Sequence, residues 1–195
     1  MPKQVDHEQR RRQISQALWR VAAERGLEAV SMREVAAAAG MSIGLVQHYF
    51  ASKEDMLLHA TLLLRDRLEE RLRRAVAALP EPVTPQATLR AMFAALLPAD
   101  PASRSETLVA NAVFIRALND PVMADRYRLG RAQLTTIVAD LIRAAHADAD
   151  DLAEQAADTL LALVNGLSSD LLLGHLSVEG AVRILNTQLD TLIND

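Results

Sequence analysis

The sequence of 195 residues predicts an all-α protein with about nine helices. Alanine and leucine, which favour helices, make up one third of the residues, whereas glycine and proline number seven each. Aromatic residues, which favour sheets, make up only 3% of the chain. Apolar residues also recur three and four positions apart almost throughout, as the buried face of a helix requires. The length allows one full-sized domain or two small ones.

The first helix is predicted from its apolar face and from the glycine that follows it. Ile14, Leu18, Val21 and Ala22 fall on one side of a helix, and Gly26 is predicted to end it. The spacing therefore places a medium-length amphipathic helix before the shorter ones that follow.

Two short helices and a long one are predicted next from their capping residues. The segment that begins at Ser31 forms a capping box, and Gly40 lies just beyond the end of that helix. Ser42 is the predicted N-cap of a third helix that runs through Phe50. A fourth, long helix follows Ser52 and ends before the prolines at 80 and 82.

The helices beyond residue 82 have their own start signals. Thr84, Asp100 and Asp120 each precede a proline, which combines an N-cap with the proline favoured at the first helical position. The eighth helix is predicted near Asp151 to Leu173, with apolar residues on two sides. The ninth follows Ser177 and completes the count.

Two short helices joined by a tight glycine turn after a longer helix form the arrangement called helix-turn-helix. In that arrangement the second short helix enters the major groove of DNA. Residues 1–50 carry a formal net charge of +2 and residues 51–195 a charge of -6, so a surface that binds phosphate belongs to the N-terminal part.

The segment SMREVAAAAGMSIGLVQHYFASKEDML at 31–57 resembles the N-terminal signature of the TetR/AcrR transcriptional regulators. The resemblance covers about residues 10–60, and the run VNGLSSDLLLG at 164–174 is similar to BetI-like members. It implies a DNA-binding domain at 1–52 and a ligand-binding and dimerisation domain at 53–195. It also implies a dimeric repressor that binds double-stranded DNA and is released by a small-molecule effector.

Candidate DNA contacts in the N-terminal part divide into residues that position the protein and residues that read bases. Ser31 and Ser42 open helices whose free N–H groups suit a phosphate oxygen, and Lys53 is a second phosphate clamp. Gln47 is the best base reader, because a glutamine can form two hydrogen bonds with adenine, and Gly44 allows close approach. The full set is Arg11, Arg12, Ser31, Arg33, Ser42, Ile43, Gly44, Leu45, Gln47, His48, Tyr49 and Lys53.

Three of these assignments leave alternatives open. Arg11 and Arg12 form either a flexible arm near the minor groove or the solvated start of a helix. Ser31 and Ser42 fit helix caps alone, or caps that also bind phosphate, because both roles use the same atoms. Members of the family often have tyrosine at the position of Gln47, so the contact pattern there differs from theirs.

The C-terminal part carries candidate dimer and effector residues. A seam in the ninth helix requires a partner helix, and we expect the eighth and ninth helices of two chains to form the interface. That interface comprises Leu161, Val164, Ser168, Leu172, Val178, Val182, Leu185, Leu189 and Leu192. The candidate effector pocket comprises Met92, Phe93, Leu96, Leu108, Phe114, Met123, Tyr127, Arg131 and Asn165, which also fit a helical core. An aromatic cage for a quaternary ammonium ion is not expected from six aromatic residues.

An enzyme is the less favoured interpretation. The absence of cysteine excludes disulfides and thiolate chemistry, and the five histidines lack the spacing of metal ligands. Hydrolase, phosphate-loop and dinucleotide motifs are also missing, so we predict neither a cofactor nor a metal. A regulator without an effector, an activator, and an all-helical binding protein or enzyme remain the alternatives.

The sequence predicts a cytoplasmic protein without a membrane partner. The opening segment MPKQVDHEQRRRQ is charged and lacks the apolar core of a signal peptide. The longest apolar runs fall short of the span of about 18 residues that a membrane helix requires.

Overall fold

The computed structural model describes residues 2–146 and 152–194, and these residues form nine α-helices, one 3-10 helix and no strand. The predicted all-α fold is therefore confirmed, whereas the 3-10 helix at Leu27–Ala29 was not predicted. The α-helices are α1 (Pro2–Arg25), α2 (Met32–Ala39), α3 (Ile43–Tyr49), α4 (Lys53–Ala77), α5 (Pro85–Leu96), α6 (Pro101–Ala117), α7 (Pro121–Ala145), α8 (Ala153–Leu173) and α9 (Val178–Asn194).

The ends of α2 and α3 are set by the predicted capping residues. The Ser31 hydroxyl accepts a hydrogen bond from the Glu34 N–H at 3.2 Å, and the Ser42 hydroxyl accepts one from the Leu45 N–H at 3.2 Å. Gly40 ends α2 with a φ of +66°, a left-handed conformation that glycine adopts without strain. These three caps fix the turn between the two short helices.

The proline-containing helix starts are also confirmed. The Thr84 hydroxyl accepts a hydrogen bond from the Ala87 N–H at 3.1 Å, ahead of α5. The carboxylates of Asp100 and Asp120 each accept two N–H groups from the following turn, ahead of α6 and α7. The predicted start of the eighth helix at Asp151 lies outside the described residues, and α8 begins at Ala153.

The chain packs as two compact units, of which the first is called the head unit. It comprises Met1–Arg67 and Ser105–Ala124. Buried side chains of α1 to α4 form its core, and Val109 and Val113 of α6 and Met123 of α7 join them. The helix-turn-helix therefore rests on a core that includes residues far along the chain.

The second unit, called the bundle unit, comprises Leu68–Arg104 and Asp125–Asp195. Buried side chains of α5, α7, α8 and α9 form its core. The Arg104 guanidinium donates to the carbonyl oxygens of Leu171 at 3.0 Å and Leu172 at 3.2 Å. Because the last carbonyls of a helix lack partners within it, these bonds stabilise the C-terminal end of α8.

The two units differ from the predicted division into residues 1–52 and 53–195. The units are defined by packing, and α4, α6 and α7 contribute residues to both. The predicted division separates a DNA-binding part from a ligand-binding part. It stays a prediction about function.

Helix α8 is more apolar than the short runs in the sequence suggested. Among the described helices, it has the length and composition of a membrane-crossing segment, and 44% of its most apolar stretch is buried. Residues along α8 pack into the core of the bundle unit, including Leu160, Val164 and Leu167. This packing accounts for its apolar character.

Candidate nucleic-acid interface

Helix α3 has one side in the core of the head unit and the other side exposed. Val46 is fully buried and Phe50, directly after the helix, is 1% exposed. Successive residues of a helix are rotated by about 100°, so Gly44 and His48 lie roughly opposite Val46. The exposed residues of α3 are Ile43, Gly44, Leu45, Gln47 and His48. This outward face contains the predicted base readers.

Gly44 has no role in the packing of the protein itself. A Cβ atom at this position would meet nothing within 4 Å, and the φ angle does not require glycine. Glycine inside a helix costs about 1 kcal/mol relative to alanine. Neither internal packing nor backbone conformation requires glycine here, as is also true of Gly130 and Gly166, so the position leaves space for an external surface.

Groups that suit phosphate lie at the starts of α2, α3 and α4. Ser31 and Ser42 are exposed at the starts of α2 and α3, and Arg33 is exposed in the first turn of α2. The Lys53 ammonium donates to the carbonyl oxygen of Leu27 at 3.4 Å. An ammonium has three donors, so this bond orients Lys53 and leaves donors for a phosphate.

Of the two alternatives for Arg11 and Arg12, the flexible arm is wrong, because both residues lie inside α1. The Arg11 guanidinium lies 4.6 Å from the centroid of the Phe50 ring, and its Nη2 lies 3.5 Å from Asp55 Oδ1. The Arg12 Nε lies 3.5 Å from Glu8 Oε1, one turn earlier in the helix. Arg11 therefore attaches α1 to the start of α4, and contacts of either arginine with DNA stay a prediction.

A second link between α1 and α4 involves His59, which the sequence did not single out. Its Nδ1 lies 2.9 Å from the Ser15 hydroxyl oxygen, and its Nε2 lies 3.4 Å from Glu8 Oε1. Burial lowers the pKa of His59, as does the Arg11 charge, while the Glu8 and Asp55 carboxylates oppose this effect. No local pattern relates Ser15 to His59, which lie 44 positions apart.

The lowered pKa of His59 predicts a loss of stability in acid. The unfolded chain has the ordinary histidine pKa of 6.5, so it binds the proton more readily than the folded chain does. The loss of unfolding free energy is absent at a pH well above 6.5. It grows as the pH falls through this value, and it is complete below the pKa that His59 has in the folded protein. Urea unfolding of the wild type and of His59→Asn between about pH 5 and 8 measures it.

We expect the wild type to lose more unfolding free energy than His59→Asn as the solution becomes acidic. The matched control is His175→Asn, which removes an exposed histidine of the bundle unit. An identical pH dependence in wild type and His59→Asn would show that His59 does not carry the effect.

The ring of Tyr49 lies against two imidazoles. The His7 ring of α1 has its centroid 4.7 Å from that of Tyr49, with the planes tilted by 56°. The His48 ring lies 5.2 Å away in an edge-on arrangement. Tyr49 is partly buried, whereas His7 and His48 are exposed. Sequence reasoning missed His7, which precedes the first apolar stripe.

Four of the apolar candidate pocket residues are buried or partly buried. Phe93 is 1% exposed and packs in the core of the bundle unit, with Leu96 partly buried against that core. Met92 is also buried on α5. Met123 instead belongs to the core of the head unit. Phe93 and Met123 therefore support different cores.

The other candidate pocket residues lie at or near the surface. The exposed apolar ones are Leu108, Phe114 and Tyr127. The Arg131 guanidinium donates to the carbonyl oxygen of Asp158 at 3.3 Å, and Asn165 is exposed on α8. The effector pocket stays a prediction.

The predicted dimer seam includes residues that the chain buries by itself. The buried ones are Leu161, Val164, Ser168, Leu185 and Leu189, while Leu172, Val182 and Leu192 are partly buried and Val178 is 37% exposed. The structure assigns the five buried side chains to packing within one chain, so they offer little surface to a partner. The outward residues of α8 and α9 include Ala162, Gly166 and Ile184.

No group of three or more histidine, aspartate or glutamate residues that could hold a metal ion occurs within residues 2–146 and 152–194.

Two parts of the chain match known protein families. Residues 14–60 match the family described as bacterial regulatory proteins, tetR family. Residues 85–194 match the family described as BetI-type transcriptional repressor, C-terminal, and this match alone covers more than half of the chain.

Curated relatives agree with these matches. The HTH-type transcriptional regulator BetI of Burkholderia cenocepacia is 31% identical over 198 residues, which cover 99% of this chain and 98% of BetI. The HTH-type transcriptional regulator PksA of Bacillus subtilis is 45% identical over 73 residues. That match spans 37% of this chain and 36% of the length of PksA.

Solved structures share the fold over nearly the whole chain. A transcriptional regulator from Rhodococcus sp. Rha1 superposes with a TM-score of 0.84 at 33% identity, covering 94% of this chain and 96% of that one. A regulator from Saccharomonospora viridis in complex with choline has a TM-score of 0.80 at 26% identity, with the same coverage. The chain is therefore a DNA-binding transcriptional regulator and not an enzyme, and it belongs to the TetR family of bacterial regulatory proteins.

Proposed function

We propose that the chain is a homodimeric repressor that binds a near-palindromic operator through α3 and is released by a small-molecule effector. The observation that carries the proposal is the exposed face of α3, on which Gly44 lies opposite the buried Val46 and leaves open space. Ser31, Ser42 and Lys53 supply phosphate contacts beside this face, and Gln47 reads a base. A repressor that acts on DNA in this way works in the bacterial cytoplasm.

A two-fold dimer accounts for the form of the operator. It places the same α3 face on two half-sites, whose centres lie about 34–36 Å apart along the DNA. The outward residues of α8 and α9, such as Ala162, Gly166 and Ile184, are the candidate contact surface. Ala162 and Gly166 are small and one turn apart, so they allow another helix to approach closely.

Selection from genomic DNA tests the proposal. The purified protein is mixed with a pool of genomic fragments at two salt concentrations, and the retained fragments are sequenced. We expect a palindromic site and a steep loss of binding at the higher salt, because phosphate contacts release counterions. No enrichment, even after unfolding and refolding to remove a bound ligand, would contradict the proposal.

Two substitutions separate positioning from base reading. We expect Lys53→Ala to weaken binding to every DNA sequence and to lower the salt slope by about 1, because one phosphate contact is lost. Gln47→Ala should instead relax specificity at one base pair, worth about 1–3 kcal/mol. Titrations of operator variants at several salt concentrations measure both effects. An equal loss on all sequences for Gln47→Ala would remove it as a base reader.

Release from DNA is proposed to act through α4. This helix is continuous over 25 residues, or about 37 Å, and it begins at Lys53. A ligand shifts the protein only if it binds the DNA-incompetent state more tightly. We expect the distance between spin labels on the two α3 helices to differ between DNA-bound and effector-bound dimers. An unchanged distance would reject α4 as the lever.

Choline is the first compound to test as an effector, because the S. viridis regulator was solved with it. We expect choline to leave operator binding unchanged up to millimolar concentration. A quaternary ammonium is bound by several aromatic faces, and the described part of the bundle unit holds only Phe93, which is buried, and Tyr127. Titration of a protein–operator complex with choline measures this, and sodium chloride at equal ionic strength is the control.

Release by choline would show that the cation site uses groups other than aromatic rings. A regulator that no metabolite releases, or one that activates transcription, is the remaining alternative. Reporter expression with and without the gene for this protein distinguishes an activator from a repressor.

A further inference from the structure

Helix α1 begins well before the segment that matches the family. It starts at Pro2, whereas the match begins at residue 14, so residues 2–13 add about 18 Å of helix. These residues are called the α1 extension. Within it, the candidate DNA contacts named from the sequence are Arg11 and Arg12.

Two side chains of the α1 extension, Glu8 and Arg11, are attached to the end of α3 and the start of α4. Arg11 lies over the Phe50 ring and pairs with Asp55, and Glu8 lies within 3.4 Å of the His59 Nε2. These contacts hold the turn from Glu8 to Arg11 against Phe50 and the first two turns of α4. The α1 extension therefore packs as part of the head unit.

This attachment places His7 against Tyr49, the last residue of α3. The centroid of the Tyr49 ring lies 4.7 Å from that of the His7 ring and 5.2 Å from that of the His48 ring. Both distances are within the range of favourable ring pairs. A tyrosine side chain rotates about two bonds, and rings on two sides restrict both rotations. A side chain already held in its bound conformation loses less entropy on binding and therefore binds more tightly.

We propose that the α1 extension is part of the DNA-binding surface, and that His7 is a positioning residue that holds the Tyr49 ring for contact with the operator backbone. The proposal rests on the proposed function, in which α3 binds DNA, and adds that the Tyr49 hydroxyl at the end of α3 donates to a phosphate. His7 acts through the ring pair and adds no sequence preference of its own.

Fluorescence anisotropy of the full chain with the selected operator tests the proposal. We expect His7→Ala to weaken binding by about three- to tenfold, the range that the energy of one aromatic pair corresponds to. We expect His7→Phe, which keeps a ring, to stay within about twofold of the wild type. His175→Ala is the matched control, because it removes an exposed histidine from the bundle unit.

A double-mutant cycle shows whether His7 acts through Tyr49. We expect His7→Ala to have little further effect once Tyr49→Leu is present, because the ring that His7 holds is gone. If His7 had a merely structural role, His7→Ala would lower the unfolding midpoint. Its loss of binding would then persist in His7→Phe and would add to the effect of Tyr49→Leu. Thermal unfolding of each variant separates these cases.

Three outcomes would overturn the proposal. They are wild-type binding by His7→Ala, equal loss in His7→Phe and His7→Ala, and additive losses in the cycle. If Lys53→Ala and Gln47→Ala change binding while the His7 variants do not, only this inference fails. If none of the four variants changes binding, the proposed interface itself fails.

Discussion

Replacing Phe50 with alanine is expected to lower the free energy of unfolding by about 3–5 kcal/mol. The Phe50 side chain is 1% exposed, and its ring contacts the Arg11 guanidinium at 4.6 Å and the His59 ring at 5.5 Å. Alanine would leave a cavity and remove both ring contacts. A loss of this size is a large part of the typical total of about 5–15 kcal/mol.

Urea unfolding of Phe50→Ala measures the loss, and Phe114→Ala is the matched control. Phe114 lies in the same head unit but is 41% exposed, so its replacement should cost about 1 kcal/mol or less. Similar losses for the two variants would mean that Phe50 is not a central residue of the core. DNA binding by Phe50→Ala should be weak, because α3 packs on that core through Val46.

Replacing Gly44 with valine is expected to weaken operator binding by about 10- to 100-fold, while the protein remains folded. A Cβ atom at this position would meet no atom of the protein within 4 Å, and it would lie on the face of α3 opposite Val46. If that face enters the major groove, valine moves α3 away from the bases, and one lost base contact costs about 1–3 kcal/mol. Helix propensity opposes any loss of stability, because glycine is the poorer helix former.

Anisotropy titrations and thermal unfolding of Gly44→Val measure binding and stability separately. Gly130→Val is the matched control, since Gly130 also lies inside a helix and a Cβ there would meet nothing within 4 Å. We expect the control to bind the operator as the wild type does. Wild-type affinity for Gly44→Val would contradict close contact between α3 and DNA.

Local signals were enough to predict most of the helix-turn-helix. Ser31, Gly40 and Ser42 act through bonds within three to five residues, so a short stretch of sequence contains both partners. The same holds for the proline-containing starts of α5, α6 and α7. The Glu34 carboxylate is an exception, because it pairs with Arg25 of α1.

Contacts between distant residues could not be predicted in this way. The sequence left Arg11 either in a flexible arm or at the solvated start of a helix, because its partners Phe50 and Asp55 lie about forty positions later. The link between Ser15 and His59 has the same origin. Both depend on how α1 packs against α4, which one helix period does not specify.

The dimer seam shows a different limit of sequence reasoning. An apolar stripe on α9 has the same spacing whether it faces the core of its own chain or a partner chain. Leu185 and Leu189 belong to the core of the chain itself. The stripe therefore located a buried face of α9 without identifying what buries it.

The sharing of α4, α6 and α7 between the two units has a consequence for exchanging parts among regulators. A fragment ending at residue 52 would lack Met56 and Leu57 of α4 and Val109 and Val113 of α6, all of which fill the core beneath α3. Grafting only this segment onto a foreign bundle would leave that core open. We therefore expect DNA specificity to be transferred by changing the outward residues of α3 in place, and not by transplanting the N-terminal segment.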